Sequence, residues 1–130
     1  MFLDPRGITR LQDALRESKL RYAITGSLAA QRWAAVSAPR LAQVYVEQDP
    51  GAAAIALGLV AAESGANVQL IRPKDKAILS DSERADDGLS YATPPQVAAD
   101  LLTSPGRGPA EGEELLSWMA TGEKARRAGP

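Results

Sequence analysis

Apolar and polar positions change period several times along the chain, and each change marks an element. After Asp4-Pro5, residues Ile8, Leu11 and Leu15 recur at helical spacing, with Arg10, Asp13, Arg16 and Glu17 between them. This predicts an amphipathic helix with Asp4 as its cap and Pro5 in its first turn, ending near Ser18 or Lys19. Tyr22-Ala-Ile-Thr25 is short and partly β-branched, and predicts a strand. Gly26 permits a tight turn, and Ser27 is placed to cap a helix from Leu28 to about Ala35, broken by Ser37-Ala-Pro39. Leu41-Ala-Gln-Val-Tyr-Val46 is almost continuously apolar, as suits a central strand covered on both faces. Asp49-Pro50 repeats the helix-start pattern for a helix through Ala53, Ile55, Ala56, Leu59 and Val60, with Gly65 to close it. Asn67 to Arg72 predicts a third strand, stopped by Pro73.

The pattern then becomes less regular. Ala77-Ile-Leu79 and Leu89-Ser-Tyr-Ala92 flank a polar segment with Asp86-Asp87-Gly88, which reads as an irregular hairpin turning at Asp-Gly. Thr93 is placed to cap a helix whose apolar face is Val97, Ala98, Leu101 and Leu102. Ser104-Pro-Gly-Arg-Gly-Pro109 reads as a rigid connector. A last helix carries Leu115, Leu116, Trp118 and Met119, with Gly122 able to end it or a frayed turn to follow. Strand and helix alternate twice, so the expected class is α/β, with α+β as its variant. The expected architecture is a small mixed sheet flanked by helices, with C-terminal helices appended. Residues 1–122 are expected to form a single domain and 123–130 a solvated tail.

Composition narrows the chemistry more than the fold. Hydrophobic residues are 45% of 130 but aromatics only 5%, so Ala, Leu, Val and Ile must fill the core. Fifteen Lys and Arg against 16 Asp and Glu give a net charge of -1, with neither the basic surplus of a nucleic-acid surface nor that of a membrane-attracted one. Cys and His are both absent. Disulfides, thiolate chemistry, the usual zinc sites and histidine bases are thereby excluded. Carboxylates, Lys, Tyr, Ser and Thr remain. The stretch Gly51 to Ala62 is too short to cross a bilayer, and the N-terminus lacks the apolar run of a signal peptide. The expected setting is cytoplasmic.

Three constellations stand out. Gly26-Ser27, between strand and helix, can offer backbone N–H groups and a hydroxyl to a phosphate, or can simply be a turn and its cap. Glu47 and Asp49 are two apart near the end of the apolar strand and can hold a divalent metal, unless Asp49 caps the next helix and Glu47 is exposed. Arg40, Arg72 and Arg107 can converge at strand and loop ends on an anion, or be separately solvated or paired. Lys74-Asp-Lys76 reads as a polar turn, and Arg126-Arg127 as a charge pair too small for a nucleic-acid patch. Trp33 and Trp118 read as core or interface anchors. Nothing adjacent in sequence marks Tyr45 as catalytic.

Two stretches also carry a resemblance. Tyr22-Ala-Ile-Thr-Gly-Ser-Leu-Ala-Ala30, with Pro39-Arg40 and Val44-Tyr-Val46, resembles the C-terminal domain of actinobacterial winged-helix regulators. These are grouped with antitoxins of the abortive-infection type IV toxin–antitoxin systems. Tyr91 to Thr103, Pro105-Gly-Arg107 and Glu114-Leu-Leu-Ser-Trp-Met119 resemble the end of the same domain. The resemblance implies the second half of such a regulator, or a standalone version. It implies a protein partner, namely a toxin, a DNA-binding module or a second copy in a homodimer. DNA reading would then belong to another module. The opening stretch is also similar to the core of the nucleotidyltransferase superfamily, in which a Gly-Ser turn precedes a strand bearing two acids at alternate positions that hold catalytic magnesium. Gly26 and Ser27 match that turn, but Gln43 and Tyr45 stand where acids are wanted. The resemblance therefore implies a degenerate, non-catalytic relative without a cofactor, and no catalytic residue is assigned. Gly26, Ser27 and Arg40 remain as a ligand pocket. The alternative is a metal-dependent nucleotidyltransferase built on Glu47 and Asp49.

Overall fold

The computed structural model describes residues 1–34, 36 and 38–128, with side chains through Thr121. In chain order its elements are β1 (Phe2–Leu3), α1 (Ile8–Glu17), β2 (Tyr22–Thr25), α2 (Gly26–Ala30), β3 (Ala42–Val46), α3 (Pro50–Leu57) and β4 (Val60–Ala61). They continue with β5 (Val68–Ile71), α4 (Ala77–Ser80), β6 (Glu83–Arg84), β7 (Ser90–Tyr91), α5 (Pro94–Leu102) and α6 (Gly108–Ala128). The chain is thus an α/β protein with a mixed sheet in the order β4-β1-β5-β3-β2-β7-β6. No helix among the described residues is long and apolar enough to cross a membrane.

The short segment Tyr22–Thr25 and the apolar run Ala42–Val46 form adjacent central strands. β2 and β3 pair antiparallel, with Tyr22 opposite Val46 and Thr25 opposite Gln43. β3 then pairs parallel with β5, bringing Gln43 level with Gln69. Strand alternation assigns Ile24, Val44 and Leu70 to one face of the sheet, and all three are buried. The other face carries Thr25, Gln43, Tyr45 and Gln69. α5 meets this second face, because its Asp100 accepts hydrogen bonds from Thr25 and Tyr45. Buried Leu11, Leu15, Leu28, Leu57, Leu89, Val97, Leu101 and Leu115 complete a core made mainly of aliphatic side chains, as the low aromatic content requires.

Several boundaries differ from those the sequence pattern predicts. Asp4 does not cap the first helix. Phe2–Leu3 is a strand between β4 and β5, and the Asp4 side chain is buried, accepting from the Arg6 N–H and the Arg10 guanidinium. α1 begins only after Gly7, whose φ is 93°. α3 starts on Asp49 as expected, with the Asp49 carboxylate accepting from the Ala52 N–H at 3.2 Å. It ends at Gly58 rather than Gly65, because Gly58 adopts the left-handed conformation and closes the last turn. Val60 and Ala61 thereby leave the helix and pair with β1. Ala77–Ser80 is a helical turn, so the hairpin is built from Glu83–Arg84 and Ser90–Tyr91 around the expected Asp86-Asp87-Gly88 turn. α6 begins inside the supposed connector, at Gly108, and continues past Gly122 to Ala128. The helix expected to reach Ala35 is described only as far as Ala30, with turn to residue 34; Ala35 and Ser37 lie outside the described residues.

Candidate functional site

The Gly26-Ser27 turn follows β2 directly, and Thr25, not Ser27, occupies the N-cap position of α2. Gly26 has φ 66°, and a Cβ there would collide with the Gln43 side chain. The glycine is required both by its backbone and by the close approach of β3. Ser27 sits in the first turn of a helix of only five residues. Its hydroxyl donates to Glu111 Oε1 on α6 at 2.8 Å, so it neither caps α2 nor is free for a phosphate.

Ser27 opens onto a cleft of about 620 Å³ between the sheet and the α5–α6 corner. Arg40, Gln43, Gln69, Arg107 and Glu111 line it as well. Ser27 and Arg40 thus line one cleft, and the Gly26 backbone lies against the Gln43 side chain. Arg107 joins them from the loop before α6, but Arg72 does not. Arg72 lies in a separate hollow of about 470 Å³ with Arg21, Glu47, Lys76 and Ser80. The triple-arginine site therefore reduces to a pair.

The floor of the main cleft is an amide pair. Gln43 Nε2 donates to Gln69 Oε1 at 3.0 Å, joining β3 to β5 across their parallel register. Two positions along β3, Tyr45 occupies the same face. Its hydroxyl donates to Asp100 Oδ2 at 2.8 Å, beside the bond of 2.6 Å from Thr25 to the same oxygen. Gln96 donates to the other carboxylate oxygen at 2.9 Å. Burial, and then the adjoining Asp100 carboxylate, raise the Tyr45 phenol above its ordinary pKa. Tyr45 is therefore a neutral strut between sheet and helix, with its hydroxyl already engaged.

The two acids of the metal alternative have other partners. Glu47 pairs with Arg21 at 3.2 Å, and Asp49 caps α3. Neither lines the cleft that holds Ser27. Among the described residues, no group of three Asp, Glu, His or Cys side chains is arranged to hold a metal ion.

A second cluster forms around β7. Trp33 stacks on Trp118 with ring centroids 6.0 Å apart and meets Tyr91 edge-on at 6.5 Å. Arg32 lies 4.2 Å above the Tyr91 ring. The Tyr91 hydroxyl donates to Asp87 Oδ2 at 2.6 Å. Burial alone would raise the Asp87 pKa, but the Tyr91 hydroxyl, the Leu89 N–H and nearby Arg32 and Arg16 outweigh it and hold the carboxyl below its usual range. Trp118 and Leu116 are each 42% exposed, whereas Leu115 is fully buried. On the last helix Leu115 belongs to the core and Met119 packs against it, whereas Leu116 and Trp118 face outward.

Gln43, Gln69 and Glu111 carry the cleft, and the sequence pattern did not single them out as site residues together. Glu111 had a local signal: Pro109 and an acid two residues later, both in the first turn, mark a helix start. The level pairing of Gln43 with Gln69 has no counterpart in sequence spacing. Comparison with protein-family models, with curated proteins and with solved structures returns no match.

Proposed function

We propose that this chain is a non-catalytic recognition domain that senses a ligand in the Ser27–Arg40–Arg107 cleft and docks a protein partner. The observation that carries this reading is the Gln43–Gln69 amide pair against the Gly26-Ser27 turn. The nucleotidyltransferase resemblance calls for acids on the strand after such a turn. Carboxylates there would bind magnesium and align phosphates. Neutral amides bonded to each other supply no negative charge for that purpose. Tyr45, the alternate position on the same face, is neutral and held by Asp100.

The role that fits is the sensing or interaction half of a cytoplasmic transcriptional regulator or antitoxin. Its partner would be a toxin, a DNA-binding module or a second copy, and the exposed Leu116 and Trp118 are apolar groups that the last helix offers to it. A net charge of -1, without the basic surplus of a DNA-binding surface, supports leaving DNA contact to another module.

The test is radiolabelled nucleoside triphosphate with magnesium or manganese, together with a thermal-shift screen of common metabolites. No nucleotidyl transfer is expected, and stabilising metabolites should lose their effect in the Arg40→Ala/Arg107→Ala double variant. Nucleotidyl transfer abolished by Glu47→Ala would overturn the proposal in favour of the metal-dependent enzyme. Metabolite shifts indifferent to both arginines would remove the cleft from the account.

A further inference from the structure

The cleft is not simply basic. Arg40 and Arg107 make no ion pair among the described residues. On the same wall, Glu111 carries the opposite charge. One of its oxygens accepts from Ser27, and the other, Oε2, has no hydrogen-bond partner and is shielded from solvent. Arg107 lies one helical turn before Glu111, and its carbonyl accepts the Glu111 N–H at 3.0 Å. The geometry would readily allow an internal Arg107–Glu111 pair, yet the two side chains remain unpaired.

A carboxylate oxygen withdrawn from water without a donor is a costly state, and the usual remedy is an N–H group delivered to it. Two unpaired guanidinium groups ask for the converse, an anion that can take their forked donors. Arg40, Arg107 and Glu111 all line one concave space of about 620 Å³, a size that ordinarily holds a small organic molecule. The amide floor of Gln43 and Gln69 adds neutral polar edges between them.

Resting on the recognition role of this cleft, we propose that it binds a small zwitterion. Its carboxylate or phosphate is held by Arg40 and Arg107, and its ammonium or guanidinium N–H donates to Glu111. A ligand with only one of these groups satisfies only one wall. Specificity comes from Glu111, because a buried acceptor left without its donor penalises the incomplete ligand.

The test is calorimetric titration of the whole chain with free arginine and alanyl-alanine, with O-phosphoethanolamine, and with the half-ligands acetate, inorganic phosphate and ethylamine. At least one zwitterion should bind about tenfold or more tightly than any half-ligand, as one hydrogen bond to a charged group predicts. Arginine or the dipeptide against phosphoethanolamine then decides between carboxylate and phosphate. Glu111→Gln should bring the best zwitterion down to the affinity of its anionic half, and Arg40→Ala/Arg107→Ala should abolish binding. Urea midpoints of each variant separate lost binding from lost folding. Equal binding of zwitterion and anionic half, unaffected by Glu111→Gln, would overturn the zwitterion assignment while leaving an anion-sensing cleft. Absence of binding by every probe would also overturn it, whereas the recognition role is judged separately by the arginine dependence of the metabolite screen.

Discussion

At the scale of single residues, Asp100 is the hinge between sheet and helix. It receives Thr25, Tyr45 and Gln96, and Thr25 is only 1% exposed. Tyr45→Phe removes one donor and leaves the carboxylate with two, so its cost should be about 1 kcal/mol. Asp100→Ala strands two hydroxyls at once and should cost about 2–4 kcal/mol, at one to two per orphaned group. Urea unfolding of the two variants checks the order, and Tyr45→Phe as the more damaging change would refute the strut. Both buried phenols also make stability depend on pH. Burial raises Tyr45 and Tyr91, and the adjoining Asp100 and Asp87 raise them further. A raised folded pKa contributes stability that is present below the unfolded value of about 10 and lost as pH rises above it. The urea midpoint should therefore fall on the alkaline side, less steeply in Tyr45→Phe. Asp87 acts at the other end: its depressed carboxyl contributes above about pH 4 and is lost in stronger acid. An Asp87→Asn chain with an unchanged acid limb would exclude that contribution.

At the scale of elements, α5 and α6 pack closely because glycine faces the contact. A Cβ on Gly108 would lie 2.6 Å from the Leu101 carbonyl oxygen and 2.7 Å from Ser104 Cβ. On Gly112 it would meet Leu102 Cγ at 2.9 Å and the Leu102 backbone nitrogen at 3.2 Å. Helix propensity favours alanine over glycine by about 1 kcal/mol in a helix interior. At Gly112 that gain offsets part of the crowding, so Gly112→Ala should destabilise by about 1 kcal/mol less than the same change where the helix gain is missing. At Gly108 the obstacle is backbone and the residue is at the helix start, so overpacking wins and Gly108→Ala should destabilise by about 1–3 kcal/mol. Thermal unfolding of the pair distinguishes them; equal midpoints would mean the helices can separate without loss. This matters to the cleft, since Arg107 and Glu111 flank Gly108 and move with it.

At the scale of the whole molecule, the sheet has a central part and an attached edge. β1 is two residues long, pairs with β5 at Phe2 and Val68, and is tied further to it through Asp4. The Asp4 N–H donates to Asn67 Oδ1 at 2.8 Å, and the Asn67 amide donates back to the Asp4 carbonyl at 3.0 Å. Arg10 joins the Asp4 carboxylate to the Leu57 carbonyl at the end of α3. Asn67→Ala should thus accelerate hydrogen exchange at Val60 and Ala61 several-fold, while amides of Ile24 and Val44 keep their protection. Uniform acceleration across the sheet would show instead that the edge does not open separately. Local pattern determined a good deal of this protein. The runs Tyr22–Thr25, Ala42–Val46 and Val68–Ile71 are strands because short, apolar, partly β-branched segments bounded by turn residues have few other ways to bury themselves. Asp49 caps its helix because that requires only residues three apart. Tertiary structure decided the rest. Ser27 has the chemistry of a cap, but a partner 84 residues away takes it up, and the Asp4 carboxylate turns to Arg6 and Arg10 because β1 holds it at the sheet edge. β1, β4 and β6 have two residues each, too few to show a period, and exist only because a neighbouring strand completes them. The cleft likewise depends on register and on helix packing, which bring Gln43 to Gln69 and Ser27 to Glu111; no spacing along the chain encodes either meeting.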